Sequence, residues 1–182
     1  MVLLAIGIPM VLLSGDDVEN PHSDEDLARL TAQMEVDYSN QKAAYNDLLA
    51  ANPQDALALS GLGQIAMIEG DFPTAANYLN QSIGIDPSDP YKYELLGEAY
   101  YEMKLIDKSV AAMEQAVALA PDNQMILLNA GTVLHQAGRE EEARQLWQRS
   151  YDIDPNSKFG QNAFHMLNPD IPVEDEPVSP HP

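Results

Sequence analysis

The sequence predicts an all-α protein: a solenoid of antiparallel helix pairs closed by a C-terminal capping helix. Three observations carry this. Prolines stand at Pro53, Pro87, Pro121 and Pro155, each 34 residues after the last, and a fixed period of that size marks a repeat array. Overlaying 56–89, 90–123 and 124–157 aligns three columns of small residues: Gly63, Gly97 and Gly131, then Ala75, Ser109 and Ala143, then Ser82, Ala116 and Ser150. Large residues recur between these columns at helical spacing, as in Tyr93, Leu96, Gly97 and Tyr100 and again in Val110, Met113 and Val117, so each unit is two helices.

Taken in chain order, residues 1–15 form a hydrophobic leader, since Val2 to Leu13 reads VLLAIGIPMVLL without a charge. Twelve residues span about 18 Å as a helix against a hydrocarbon core of about 30 Å, which suits a signal segment better than a full membrane span. Only Met1 precedes it, and Leu12 or Leu13 falls at −3 of a cut near Ser14. An N-terminal anchor with a truncated start accounts for both features, and a buried N-terminal element broken at Pro9 is the competing reading. Residues 16–22 are an acidic linker, after which Ser23 and Asp24 read as a helix cap. Residues 23–55 form a degenerate first unit in which Val36 replaces the turn glycine, allowing its two helices to run together.

Three full units follow at 56–89, 90–123 and 124–157. The turn between helices carries Gly70-Asp71-Phe72-Pro73 in the first and Gly138-Arg139-Glu140 in the third, with Lys104 in place of glycine in the second; glycine there suits the left-handed residue that ends a helix. Asp86-Pro87 and Asp154-Pro155 close the second helices, because the residue before proline disfavours helical geometry. Residues 158–168 carry Phe159, Phe164 and Leu167, apolar positions that need the last pair beneath them, and so read as the cap such arrays require. The tail 169–182, with several prolines and acids and no basic residue, has too little apolar area to fold.

These columns resemble the tetratricopeptide repeat, a 34-residue helix–turn–helix with small residues at positions 8, 20 and 27 and proline at 32. The resemblance covers 56–157. Departures are Leu59, Tyr93 and Leu127 where the family often has Trp, and Ala130 at a usual Leu column. The resemblance implies that first helices line a concave groove through positions 2, 5, 9 and 12. Here these are Leu57, Ser60, Gln64 and Met67, then Tyr91, Glu94, Glu98 and Tyr101, then Met125, Leu128, Thr132 and His135. Helical spacing puts 91, 94, 98 and 101 on one face, opposite 93, 96, 97 and 100. Members that bind chaperone C-terminal carboxylates need Lys, Asn and Arg in this groove, and these positions hold no basic residue.

Composition narrows the function further. Nine Lys and Arg stand against 29 Asp and Glu, for a net charge of −20, too little positive charge to neutralise a run of phosphates, so nucleic acid is not an expected partner. The absence of cysteine excludes disulfides, cysteine-based metal sites and thiol catalysis. Gly61-Leu62-Gly63 lies inside a helix with no preceding strand, unlike a phosphate loop. Asp152-x-Asp154-x-Asn156 imitates a calcium loop but has Ser157 where glycine is needed and Ala163 where the bidentate Glu belongs. His22, His135, His165 and His181 share no metal-ligand spacing, and Glu140 to Glu142 suit the helix N-terminus they occupy.

The expectation is therefore a non-catalytic adaptor without cofactor or metal, tethered through residues 2–13 and facing the periplasm or a similar compartment, with a cytoplasmic placement as the alternative. Similar short arrays behind one anchor occur in assembly factors for c-type cytochromes and cell-envelope machines. Met, Leu and Tyr with two carboxylates suit an amphipathic helix or extended peptide carrying a basic residue or two. Two alternatives stand beside it: the same side chains cover another helix of the molecule, or the chain is a structural subunit that self-associates through them.

Overall fold

The computed structural model describes residues 24–170, with side chains from Tyr38 onward. The leader, the acidic linker, the Ser23 cap and the tail from residue 171 lie outside the described residues. The described elements are α1 (Asp24–Ala51), α2 (Ala56–Ile68), α3 (Phe72–Ile85), α4 (Pro90–Glu102), α5 (Ile106–Leu119), α6 (Gln124–Gln136), α7 (Glu140–Ile153) and α8 (Lys158–Leu167). The chain divides into two compact units, 1–38 and 39–182, with α1 running through the division; all packing below belongs to the second.

The first helices of the pairs begin and end for local chemical reasons. The first helix of every pair is capped by an acceptor recurring at the repeat period: Asp55 accepts from the Ala58 N–H, Asp89 from Tyr91 and Asn123 from Ile126. Each cap satisfies a donor that the first helical turn leaves unpaired. At the other end, the three turns share one hydrogen-bond pattern. Gly70 N–H donates to the Met67 carbonyl and Asp71 N–H to Ala66, as Lys104 does to Tyr101 and Leu105 to Tyr100, and Gly138 to His135 and Arg139 to Leu134. This is the Schellman closure, which needs a left-handed residue at its apex. Gly70 and Gly138 sit there at φ 74° and 76°, and Lys104 is held there at φ 61° without glycine's freedom.

The glycine column is the seam of each pair. A Cβ on Gly63 would lie 2.9 Å from Leu79 Cγ, one on Gly97 2.9 Å from Met113 Cγ, and one on Gly131 2.5 Å from Trp147 Nε1. The column Leu79, Met113, Trp147 therefore fills the space that the missing side chains leave, and interior packing density requires that fit. Gly61 does the same for α1, because the Tyr45 ring lies where its Cβ would be. Trp147 is only 2% exposed and its Nε1 donates to the Leu128 carbonyl at 3.2 Å; truncating a residue so placed costs about 3–5 kcal/mol.

The other two small columns are buried completely. Their serines carry hydroxyls that find acceptors: Ser82 donates to the Ala56 carbonyl at 2.6 Å, Ser150 to Gln124 at 3.0 Å and Ser109 to Gly97 at 2.7 Å. Buried hydroxyls without partners would be costly. Beyond the last pair, α8 packs on α7 and α6. Phe159, Met166 and Leu167 lie against the cluster that holds Trp147 and Val133, so α8 covers apolar surface that the array's end would otherwise expose.

Candidate functional site

The first helices pack on one another in sequence, α2 on α4, α4 on α6 and α6 on α8, whereas among the described residues the backbones of α3, α5 and α7 do not approach one another. An array with a tighter inner layer curves toward it. The inner layer therefore presents the surface on which the twelve groove candidates should lie, and the structure sorts them into three kinds.

Leu57 (70% exposed), Gln64, Tyr91 (47% exposed) and His135 are open to solvent. Ser60, Met67, Glu98, Tyr101, Met125 and Thr132 are half-buried. Two of these are occupied by their own helix: Ser60 Oγ donates to the Leu57 carbonyl at 2.9 Å and Thr132 Oγ1 to Leu128 at 3.1 Å. Tyr91 Oη accepts from Asn123 Nδ2 at 3.0 Å, which fixes the phenol at the start of the groove. Tyr101 lies under the Lys104 ammonium, 5.2 Å from its ring centroid. His135 stands 5.6 Å from the Trp147 ring and places Nδ1 2.5 Å from Glu140 Oε2.

The third kind, placed in the groove by the sequence, is buried. Leu128 is 9% exposed and belongs to the core with Val133 and Trp147. Glu94 is 5% exposed, and its Oε1 accepts from Asn129 Nδ2 on α6 at 2.7 Å. Both were expected in the groove because their helical phase matches it. Each is covered because the next first helix overlaps that phase, which one helix's periodicity does not encode. A polar pair 35 residues apart, Glu94 with Asn129, was the available signal, one repeat plus one residue.

Burial sets the electrostatics of this surface. Desolvation raises the Glu94 carboxyl above its usual range, against the Asn129 hydrogen bond. Glu98 is pushed up to about 8, first by burial, then by the neighbouring Glu94 charge and a hydrogen bond to it, and last by Glu102. No cation relieves them from the adjacent first helices, since α2 and α6 contain neither Lys nor Arg. Lys92 on α4 is buried and turned away, with Nζ 3.1 Å from both the carbonyl and Oδ2 of Asp86. That pair escaped the sequence reading, although Lys at the first turn and Asp six residues before it were visible.

On the outer side a second, apolar depression lies between α5 and α7, floored by Val110, Val117 and Leu146. Arg139 closes its rim by pairing with Glu114 at 2.7 Å and with Glu142 at 2.5 Å. Among the described residues no group of three or more His, Asp or Glu is placed to hold a metal ion, and no helix is long and apolar enough to cross a membrane.

Paired helices, glycine seams and one ridged inner layer define a helical-repeat array of the kind that presents a binding surface. The chain belongs to the tetratricopeptide repeat family, whose model matches residues 42–90 and 95–158. Among curated proteins it is similar to cellulose synthase 1 operon protein C of Komagataeibacter xylinus, 29% identical over 125 residues, which cover 68% of this chain and 9% of that one. It is also 24% identical over 116 residues to the STIP1 homolog of Dictyostelium discoideum, covering 64% of this chain and 21% of the relative. The chain thus spans a small fraction of the length of these proteins. Among solved structures it is similar to MamA, with a TM-score of 0.63 at 19% identity over 80% of this chain and 91% of that one. The first repeat domain of Spaghetti (RPAP3), solved with the HSP90 peptide SRMEEVD, matches with a TM-score of 0.58 at 21% identity over 64% of this chain and 93% of that one. At such identities the likeness shows the fold, and that fold is consistent with protein binding.

Proposed function

We propose that the chain is a non-catalytic adaptor whose inner surface holds a helix or extended segment of a client protein, the segment carrying apolar side chains and at least one basic residue. The observation that carries this is the composition of the inner ridge. Tyr91, Tyr101, Met67 and Met125 offer rigid aromatic and adaptable thioether area, while Glu98 supplies an acceptor with no Lys or Arg from α2 or α6 beside it. The same feature disfavours a peptide that ends in a carboxylate, such as the one in the Spaghetti structure, because α2 and α6 offer no Lys or Arg to receive it. Leu57, Gln64 and His135 extend the surface at its ends. With Glu94 and Leu128 covered, their role is to shape the ridge rather than touch the client.

The uncharged stretch 2–13 supports a tethered, periplasm-facing placement, and the similarity to a cellulose synthase operon protein supports work on a cell-envelope complex. The test is capture of client from the native cell by crosslinking, compared between wild type and Tyr91→Ala with Tyr101→Ala. Aromatic residues of this type carry much of the energy of small interfaces, so affinity should fall at least about tenfold, or 1.4 kcal/mol, while circular dichroism stays helical. Capture equal to wild type would remove the inner ridge as the binding surface.

A further inference from the structure

The array's centre contains a pair of acids, of which the adaptor reading uses only Glu98. Glu94 and Glu98 stand one turn apart on α4, the first covered by α6 and the second half-buried beside it. Glu94 already accepts a hydrogen bond from Asn129, and Glu98 is within hydrogen-bonding reach of Glu94. Two ionised carboxylates have only acceptors and cannot bond to each other; one of them must carry a proton to do so. The helices around the pair supply no compensating cation, and Lys104 in the turn after α4 lies over the Tyr101 ring. α2 and α3 have no charged residue, and α6 has only His135, engaged by Glu140. α5 carries Asp107, Lys108 and Glu114, of which Lys108 lies over the Tyr100 ring and Glu114 pairs with Arg139. On α4 itself Lys92 is held by Asp86, and Glu102 adds a further negative charge one turn on from Glu98.

We propose that Glu94 and Glu98 hold one proton between them at neutral pH, so that the inner surface carries one negative charge fewer than its sequence implies, gains that charge when the solution turns alkaline, and loses stability as pH climbs from the acid range to that point. The proton sits on Glu98 and is donated to Glu94, which keeps the hydrogen bond it accepts from Asn129. In the unfolded chain both acids are hydrated and ionise near the ordinary carboxylate value. Between that value and about 8 the folded protein binds the extra proton and the unfolded chain does not, so stability falls as pH rises through this interval. The contribution is complete below the unfolded value and gone above the folded one. A basic side chain entering the groove would meet the same proton and displace it to solvent, which makes the device a regulator of the proposed binding surface. Only that last consequence rests on the adaptor reading; the proton itself is tested on the protein alone.

Two measurements decide it. Infrared spectra of the wild-type protein near neutral pH should show the carbonyl stretch of a protonated carboxyl, lost above about pH 9 as the pair ionises and missing in Glu98→Gln. Denaturant unfolding should show the wild-type unfolding constant rising with pH between about 5 and 8, by up to tenfold per unit for one proton. In Glu98→Gln, where an amide stands in for the neutral acid, the rise should be shallower by that amount. A neutral-pH spectrum without the protonated-carboxyl band overturns the proposal, even if Glu98→Gln does not fold, and equal pH slopes for the two proteins overturn it as well.

Discussion

Replacing Gly131 with alanine adds one methyl group, and the structure says where it must go. The new Cβ would lie 2.5 Å from Trp147 Nε1 and 2.6 Å from Cδ1, against an ordinary contact of about 3.5–4 Å. The indole is rigid and enclosed, and its N–H is committed to the Leu128 carbonyl, so retreat by about 1 Å strains the packing or breaks that bond. Overpacking of this kind costs about 1–3 kcal/mol and an orphaned buried donor about 1–3 kcal/mol, while the better helix propensity of alanine returns about 1 kcal/mol. The net loss should be about 2 kcal/mol. At the same column of the preceding unit, a Cβ on Gly97 would meet Met113 Cγ at 2.9 Å and Cε at 3.0 Å. Methionine has three flexible torsions and can move aside, so strain and propensity should nearly cancel and Gly97→Ala should change stability by less than about 1 kcal/mol. Urea unfolding followed by circular dichroism compares the two directly. Trp147 is the chain's single tryptophan, so its fluorescence reports separately whether the indole has moved. Equal midpoints with an unchanged emission spectrum would refute the claim that Trp147 and Met113 fill the glycine seams.

Further predictions test the turn geometry and the acid limb of the stability curve. Lys104→Gly should raise stability by about 0.5–1 kcal/mol, because a left-handed residue other than glycine costs about 1–2 kcal/mol, partly offset by loss of the exposed Lys104–Tyr101 contact; an unchanged or lower thermal midpoint would count against strain at this turn. Asp86 is held down to about 2, first by the Ser88 hydroxyl, then by the Ser88 N–H and Lys92. Its contribution is therefore present above the ordinary carboxylate value and is lost as pH falls through about 2, opposite in sign to Glu98. The stability curve of Asp86→Asn should be flatter than wild type between about pH 4 and 2, and parallel curves would show that Asp86 gains nothing from its partners.

The repeat is legible in the chain alone: its period, its three small columns, the helix pairs and the turns. These follow from rules acting within a few residues, namely helical spacing, capping, glycine at a left-handed apex and proline at a helix end, and each recurs every 34 residues so that one unit checks another. Lys104 shows the strength of that register, since it takes the left-handed conformation of Gly70 and Gly138 because the hydrogen bonds and packing on both sides of the turn require it. The candidate surface was legible only as a helical phase. Tyr91 and Leu57 are open as that phase expects, but Glu94 and Leu128 occupy the same phase and are covered. The difference arises from how far each first helix is overlapped by the next, α4 by α6 and α6 by α8, a distance set by side-chain packing between units. The same overlap brings Asn129 to Glu94 and buries that carboxylate. Spacing along one helix tells which way a carboxylate points; whether it stays charged depends on what the next helix places over it.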